Sequence, residues 1–200
     1  MESIFTYRPL DPVTWPDFEA MFLRHRGVCG GCWCVYHRVS SADYSKSTRE
    51  ERHARMKAYL DDGTACGIVT YQDGVPIGWC NVGPAQYFVS FDRSPAYRAL
   101  HISQEQKPDW RIACVFVDKS CRRRHLSGRV LSFAMDYIAA NGGGIVEAFP
   151  IVKESTPQPS YTGKLHQYEA LGFRPVSPMG THRMLVRAHV PPALAKPEET

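Results

Sequence analysis

No stretch of the 200-residue sequence approaches the ~18 consecutive apolar residues of a membrane span. The opening residues, MESIFTYRPLDPVTW, lack the basic-then-apolar layout of a secretory leader, so a cytoplasmic protein is expected, with no membrane partner. A surplus of one charge is also missing. Lys plus Arg number 24 against 20 Asp plus Glu, a net charge of +4, which argues against a nucleic-acid surface. No internal repeat is visible. The lysine-bearing phosphate loop is absent, and GGGIVE follows a helical pattern rather than a strand, so neither common nucleotide fingerprint applies.

What is present is ordinary for a soluble globular chain: 44% hydrophobic and 22% charged residues. That length suits one domain, drawn here over residues 1–188, with 189–200 as a flexible C-terminal tail. Seven cysteines, an odd number without a leader, read as thiols. Cys80 and Cys114 lie in apolar runs and read as small core residues. Cys29, Cys32 and Cys34 offer three ligands that His37 or Cys66 would complete for zinc. The usual second knuckle is missing, so the favoured reading is a loop packed beside a site, with no metal.

DPVTWPDFEAMFLRH reads as a helix with Thr14 as N-cap and Phe18, Met21 and Phe22 on one face. A loop leads to a second helix beginning near Ser47 or Thr48, where STRE and TREE both have capping-box spacing, and ending at Gly63. CGIVTY and PIGWCNV form a hairpin about Asp73-Gly74. Residues 84–109 show no clear period and are expected to form a long loop with one short helix. WRIACVFV is a central strand. The helix after it carries Leu126, Val130, Leu131, Ala134, Tyr137 and Ile138 as one buried stripe and ends at NGGG. IVEAFPIV, a short helix at 163–171, GFRPV and HRMLVRA complete an α/β chain with a mixed sheet.

At the join of VFVDKSCRRRHLSGRVL stand Arg122, Arg123 and Arg124. The first turn of a helix has unpaired N–H groups and a partial positive charge, and arginine adds bidentate donors, so strand, turn and helix together suit a pyrophosphate. The alternative is an exposed turn solvated by its arginines.

This segment resembles the core motif of the GNAT N-acetyltransferase superfamily. Val117 and Arg122 have its spacing, and Leu126, Val130 and Leu131 fall on its apolar helix positions. YEALGF, residues 168–173, is similar to its second signature, and CGGCWC with GWCNVGP resembles a bacterial branch of the superfamily. The family places glycine where His125 stands, and glycine or alanine where Ser127 stands. The resemblance implies the GNAT acyl-CoA acyltransferase fold: a mixed central sheet flanked by helices, with a V-shaped opening between its two central parallel strands. It also implies an enzyme using acetyl-CoA. The turn Arg122, Arg123, Arg124, His125, Leu126, Ser127 and Gly128 would hold the pyrophosphate. The edge at Val115, Phe116 and Val117 would pair with the pantetheine arm, and Tyr168 would protonate the departing thiolate. A homodimer is part of the same expectation.

Glu147, a carboxylate inside an apolar strand, is either the base that deprotonates the amine or the partner of Arg111 in a structural ion pair. His166 is a weaker candidate base. Trp33, Tyr36 and Trp79 are the candidate acceptor walls, with Phe88, Phe91 and Trp110 suited equally to a core. Asp92, Asp109 and Glu154 are candidate partners for an ammonium group, or plain solvated charges. The expected acceptor is a small-molecule primary amine, an antibiotic or other toxic metabolite being one such compound. The alternatives are acetylation of a protein lysine or N-terminus, and an acyl-CoA sensor without turnover.

Overall fold

A computed structural model describes residues 3–122, 124–152 and 161–194. The chain opens with β1 (Phe5–Pro9), a strand that the helix-first expectation omitted. It is a short edge strand paired only with β2, and its alternately exposed residues carry little apolar signal. α1 (Trp15–Arg24) follows, burying Trp15, Phe18, Met21 and Phe22. Thr14 stands at its N-cap position but does not cap it. Its hydroxyl donates instead to the Pro9 carbonyl at 2.7 Å and accepts the Asp11 amide at 2.9 Å, tying β1 to α1.

The loop after α1 holds a helix that sequence reasoning did not place, α2 (Ser41–Lys46), capped by the Ser40 side chain. α3 (Arg49–Asp61) begins with the expected capping box, Thr48 with Glu51, and Gly63 beyond its end is left-handed at φ 73°. β2 (Ile68–Gln72) and β3 (Val75–Pro84) form the hairpin, with Asp73 at φ 50° and Gly74 at φ 78°. Positive φ at both central residues suits the right-handed twist of the flanking strands. Segment 84–109 contains two short helices rather than one, α4 (Val89–Asp92) and α5 (Pro95–Arg98). Then come β4 (Trp110–Val117), α6 (Leu126–Ala140), β5 (Gly144–Ala148), α7 (Leu165–Glu169), β6 (Arg174–Met179) and β7 (Arg183–Val190). β7 runs through Val190, which pairs with Gly144, so the tail drawn from 189 begins too early. Residues 195–200 of that tail lie outside the described residues.

The seven strands lie in the order β1-β2-β3-β4-β5-β7-β6, all neighbours antiparallel except β4 and β5. Period-two alternation sends adjacent residues to opposite faces. Ile112, Ala148 and Val186 join α6 and Tyr168 in one core cluster, whereas Ala113, Phe149 and Leu185 join Phe88, Phe91 and Tyr97 in another. α1, Trp33, Met56 and Leu60 pack with Trp79 and Phe116 in a third. Both faces of the central strands are therefore covered, which is why β4 reads as a near-continuous apolar run. Among the described residues, no helix is long and apolar enough to cross a membrane.

Candidate active site

The parallel pairing of β4 with β5 covers only Trp110, Arg111 and Ile112 against Val146, Glu147 and Ala148. β4 continues to Val117 while β5 ends, so the two strands diverge and a gap opens beside the second half of β4. Backbone groups of successive strand residues point to opposite neighbours. Phe116 pairs with Trp79 on β3, and the Asp118 amide donates to Ile77 at 2.8 Å. Val115 and Val117 therefore face the gap. The expected free edge is corrected on two counts. Phe116 turns its backbone to β3. The Val115 amide is already engaged, donating to the Tyr161 carbonyl at 2.6 Å. The cause is the turn at residues 161–163 just before α7, which sets the Tyr161 carbonyl against β4. The Val117 carbonyl accepts the Arg122 guanidinium Nε at 3.3 Å.

Beyond β4 the chain turns through Asp118. Its Oδ1 accepts the Ser120 amide at 3.0 Å and hydroxyl at 2.9 Å, and its Oδ2 lies 3.1 Å from both Arg24 and His25 at the end of α1. Burial opposes ionisation, but these hydrogen bonds outweigh it and hold the Asp118 carboxyl well below the usual carboxylate range. Arg122 follows in extended conformation, Arg123 lies outside the described residues, and Arg124 and His125 are exposed. His125 sits at φ 55°, ψ 20°, the left-handed conformation that glycine adopts without cost. α6 then starts with no side-chain cap on its N-terminal amides, and a Cβ on Gly128 would meet nothing within 4 Å. The Ser127 hydroxyl accepts Gln167 of α7 at 2.6 Å. An uncapped helix of this length, with Arg122 and Arg124 before it, suits a polyphosphate.

Tyr168 reaches the gap from α7. It is fully buried, its ring stands edge-on to Phe173 at 5.2 Å, and its hydroxyl donates to the Thr162 carbonyl at 3.0 Å. Burial, with the neighbouring Cys80 and Cys114, pushes the phenol well above its usual value, so it stays protonated. His166, on the same helix, is exposed.

On the sheet face opposite α6, Glu147 is buried completely. Its Oε1 accepts Arg187 Nη2 at 2.6 Å, Arg187 Nε at 2.9 Å and the Tyr97 hydroxyl at 3.0 Å; its Oε2 accepts Tyr97 at 2.8 Å and Arg111 Nε at 3.3 Å. The ion pair with Arg111 is thus present, and every donor around the carboxylate is already paired to it. Burial and the Glu147 charge push Tyr97 up to about 12. Asp92 is bound to Arg111 Nη1 at 2.9 Å and Nη2 at 2.6 Å, and Asp109 accepts the Ile145 amide at 2.7 Å. Both line a cavity of about 860 Å³ together with Tyr97, Arg98, His101 and Arg111. Glu154 lies outside the described residues.

The aromatic residues divide. Trp33 and Trp79 are core residues packed on Phe18 and Phe22, and Trp79 Nε1 donates to Cys34 Sγ at 3.2 Å. Neither is an accessible wall. Tyr36 is exposed and stands edge-on to His37 at 4.8 Å. In the sequence, His37 is a candidate only as a zinc ligand. Its ring stacks on Phe91 at 4.2 Å, Phe91 stacks on Phe149 at 4.0 Å, and its Nδ1 lies 3.0 Å from the Ser90 hydroxyl. Burial, aided by Arg183 and Arg111, lowers it to about 3, so it is neutral at ordinary pH. Phe149 follows β5 directly, which places this stack beside the gap. No spacing in the sequence announces it. Cys29 is exposed, Cys32 partly so and Cys34 buried. Among the described residues, no group of three or more ligand-type side chains could hold a metal ion.

The acetyltransferase (GNAT) family model matches residues 33–173. The chain belongs to the GNAT family. Its members use acetyl-CoA as donor. Among curated proteins, no sequence matches the chain. Among solved structures, the polyamine N-acetyltransferase of Drosophila melanogaster, which forms N-acetylagmatine, is similar at 12% identity, with 93% of this chain and 100% of that one covered and a TM-score of 0.56. An N-acetyltransferase from Staphylococcus aureus Mu50 is similar at 15% identity, with coverage of 94% and 99% and a TM-score of 0.51. The yncA protein of Salmonella typhimurium, solved with its cofactor acetyl-CoA, is similar at 14% identity, with coverage of 98% and 99% and a TM-score of 0.50. At such identities the likeness establishes the GNAT fold.

Proposed function

We propose that this GNAT protein is a cytoplasmic, single-domain N-acetyltransferase that transfers an acetyl group from acetyl-CoA to a primary amine of a small molecule, an antibiotic or other toxic metabolite among them. The observation that carries the reading is the divergence of β4 from β5 beside the uncapped N-terminus of α6. Acetyl-CoA, when bound, supplies the acetyl group as a thioester open to attack by an uncharged amine. Arg122, Arg124 and the first-turn amides of α6 hold its pyrophosphate, and Arg123 belongs to the same turn. Val115 and Val117 offer backbone groups to its arm. The Tyr168 hydroxyl, kept protonated by burial, carries the proton that leaves with the thiol.

Glu147 serves as the anchor of Arg111 and Arg187 rather than as the base, since its oxygens are fully used within the protein. Water in the gap takes the amine's proton. The stack of His37, Phe91 and Phe149, with exposed Tyr36 beside it, supports a compact amphipathic acceptor over a protein segment, which would need an open groove. A homodimer is part of the reading and is checked by sedimentation.

Calorimetric titration of the apo protein with acetyl-CoA, alongside the Arg122→Ala/Arg124→Ala protein, tests the donor site. Micromolar binding weakened at least tenfold in the double variant is expected, as for loss of charge-assisted phosphate contacts. Absence of binding by the wild-type protein would end the proposal. Release of free CoA on addition of small amines, and not of lysine-bearing peptides, then separates the proposed acceptor from the protein-directed alternative. Binding without release for either class would instead favour an acyl-CoA sensor.

A further inference from the structure

The turn at Tyr161, Thr162 and Gly163 takes no part in the chemistry proposed above, yet it touches both walls of the gap. The Tyr161 carbonyl accepts the Val115 amide at 2.6 Å, and the Tyr161 ring lies over Phe116 at 6.2 Å with 29° between planes. The next carbonyl, of Thr162, accepts the Tyr168 hydroxyl at 3.0 Å. The third, of Gly163, accepts the Ile151 amide at 3.1 Å. Gly163 reverses the chain at φ 73°, and a Cβ there would stand 2.8 Å from Tyr168 Cε2. The turn therefore lies flush against the phenol, where only glycine fits.

An N–H or O–H has one proton to give. While Val115 donates to Tyr161 it has none for an arm laid along β4, and while Tyr168 donates to Thr162 it has none for a leaving sulfur. These two groups are the ones the acyl-transfer reading requires, and consecutive carbonyls of one turn hold both. We propose that Tyr161, Thr162 and Gly163 are positioning residues for the transfer. Without donor, their turn holds the Val115 amide and the Tyr168 hydroxyl. An arm that takes the Val115 amide draws the turn out of the gap and releases the hydroxyl toward the sulfur. Proton delivery is thereby coupled to occupancy of the gap. The inference rests on the acyl-transfer reading above.

If binding requires the turn to withdraw, the observed affinity is the intrinsic one reduced by the fraction of molecules with the turn out. Tyr161→Ala keeps the carbonyl but removes the ring contact with Phe116, so it raises that fraction. Tyr161→Phe keeps the contact. Titration of the three proteins with acetyl-CoA is expected to give roughly three- to tenfold tighter binding for Tyr161→Ala and wild-type affinity for Tyr161→Phe. Hydrogen exchange gives a second readout that a purely structural turn would not produce: acetyl-CoA should accelerate exchange of the Ile151 amide, because its acceptor on Gly163 moves away. An Ile151 amide unchanged or slowed by bound acetyl-CoA overturns the inference and leaves the acyl-transfer reading standing. Failure of the wild-type and Tyr161→Ala proteins alike to bind acetyl-CoA overturns both.

Discussion

Glu147 faces Arg111 across the one parallel strand pair of the sheet, with Arg111 Nε 3.3 Å from Glu147 Oε2 and neither side chain exposed beyond 1%. Arg187 of β7 closes on the other carboxylate oxygen at 2.6 Å. A buried charge set of this kind ties β4, β5 and β7 together just below the point where β4 and β5 separate.

Glu147→Gln removes the buried anion that Arg187 shares with Arg111 and leaves Arg111 to Asp92. Removal of one partner from a buried pair costs about 3–5 kcal/mol, so urea unfolding should show a midpoint far below wild type. Turnover per folded molecule, measured at low temperature, should change little. A Glu147→Gln protein of normal stability and lost turnover would return the residue to the chemistry.

Tyr168→Phe retains the ring's contact with Phe173 and loses only the hydroxyl. Turnover is expected to fall by about 100-fold, the scale of a lost general acid, with the acetyl-CoA dissociation constant within a few-fold of wild type. The missing bond to the Thr162 carbonyl should cost about 1 kcal/mol of stability. Steady-state kinetics beside calorimetry separates the two effects.

His125→Gly addresses the residue at the head of α6 that, among the described residues there, is held at positive φ. A left-handed non-glycine residue costs roughly 1–2 kcal/mol, so the glycine protein should unfold at higher urea, and acetyl-CoA affinity should hold or improve. Weaker binding in His125→Gly would show that the imidazole itself meets a phosphate.

The buried thiols make alkaline stability a test of packing. Burial pushes Cys66 up to about 11 and Cys32 up to about 12, and the hydrogen bond with Cys114, together with burial, holds Cys34 well above its ordinary value. A folded value raised above the unfolded one of about 8.5 contributes stability that is complete below that pH and declines as pH rises toward the folded values. Urea midpoints should therefore be flat from about pH 7 to 8 and drop by about pH 10.5. Under native conditions a thiol reagent should label exposed Cys29 and partly exposed Cys121 first, and Cys34, Cys66 and Cys80 only after unfolding.

Local signals sufficed for much of this protein. The capping box at Thr48, the Asp73-Gly74 turn, the apolar run of β4 and the stripe of α6 are each set by neighbours a few residues apart, and they stand where the sequence places them. The two motifs at 115–131 and 168–173 likewise announce the family, because the turn into α6 and the short α7 are contiguous segments. β1 carried no such signal, since an edge strand with one partner needs no apolar stripe. Only the tertiary structure decided that β7 inserts between β5 and β6, that Trp33 and Trp79 are interior, and that His37 stacks on Phe91 and Phe149. It alone brought Tyr161 to Val115 and Thr162 to Tyr168. The first contact joins distant segments, and both are made to backbone carbonyls, which every residue possesses, so no side-chain pattern encodes them; the packing of the turn at 161–163 does.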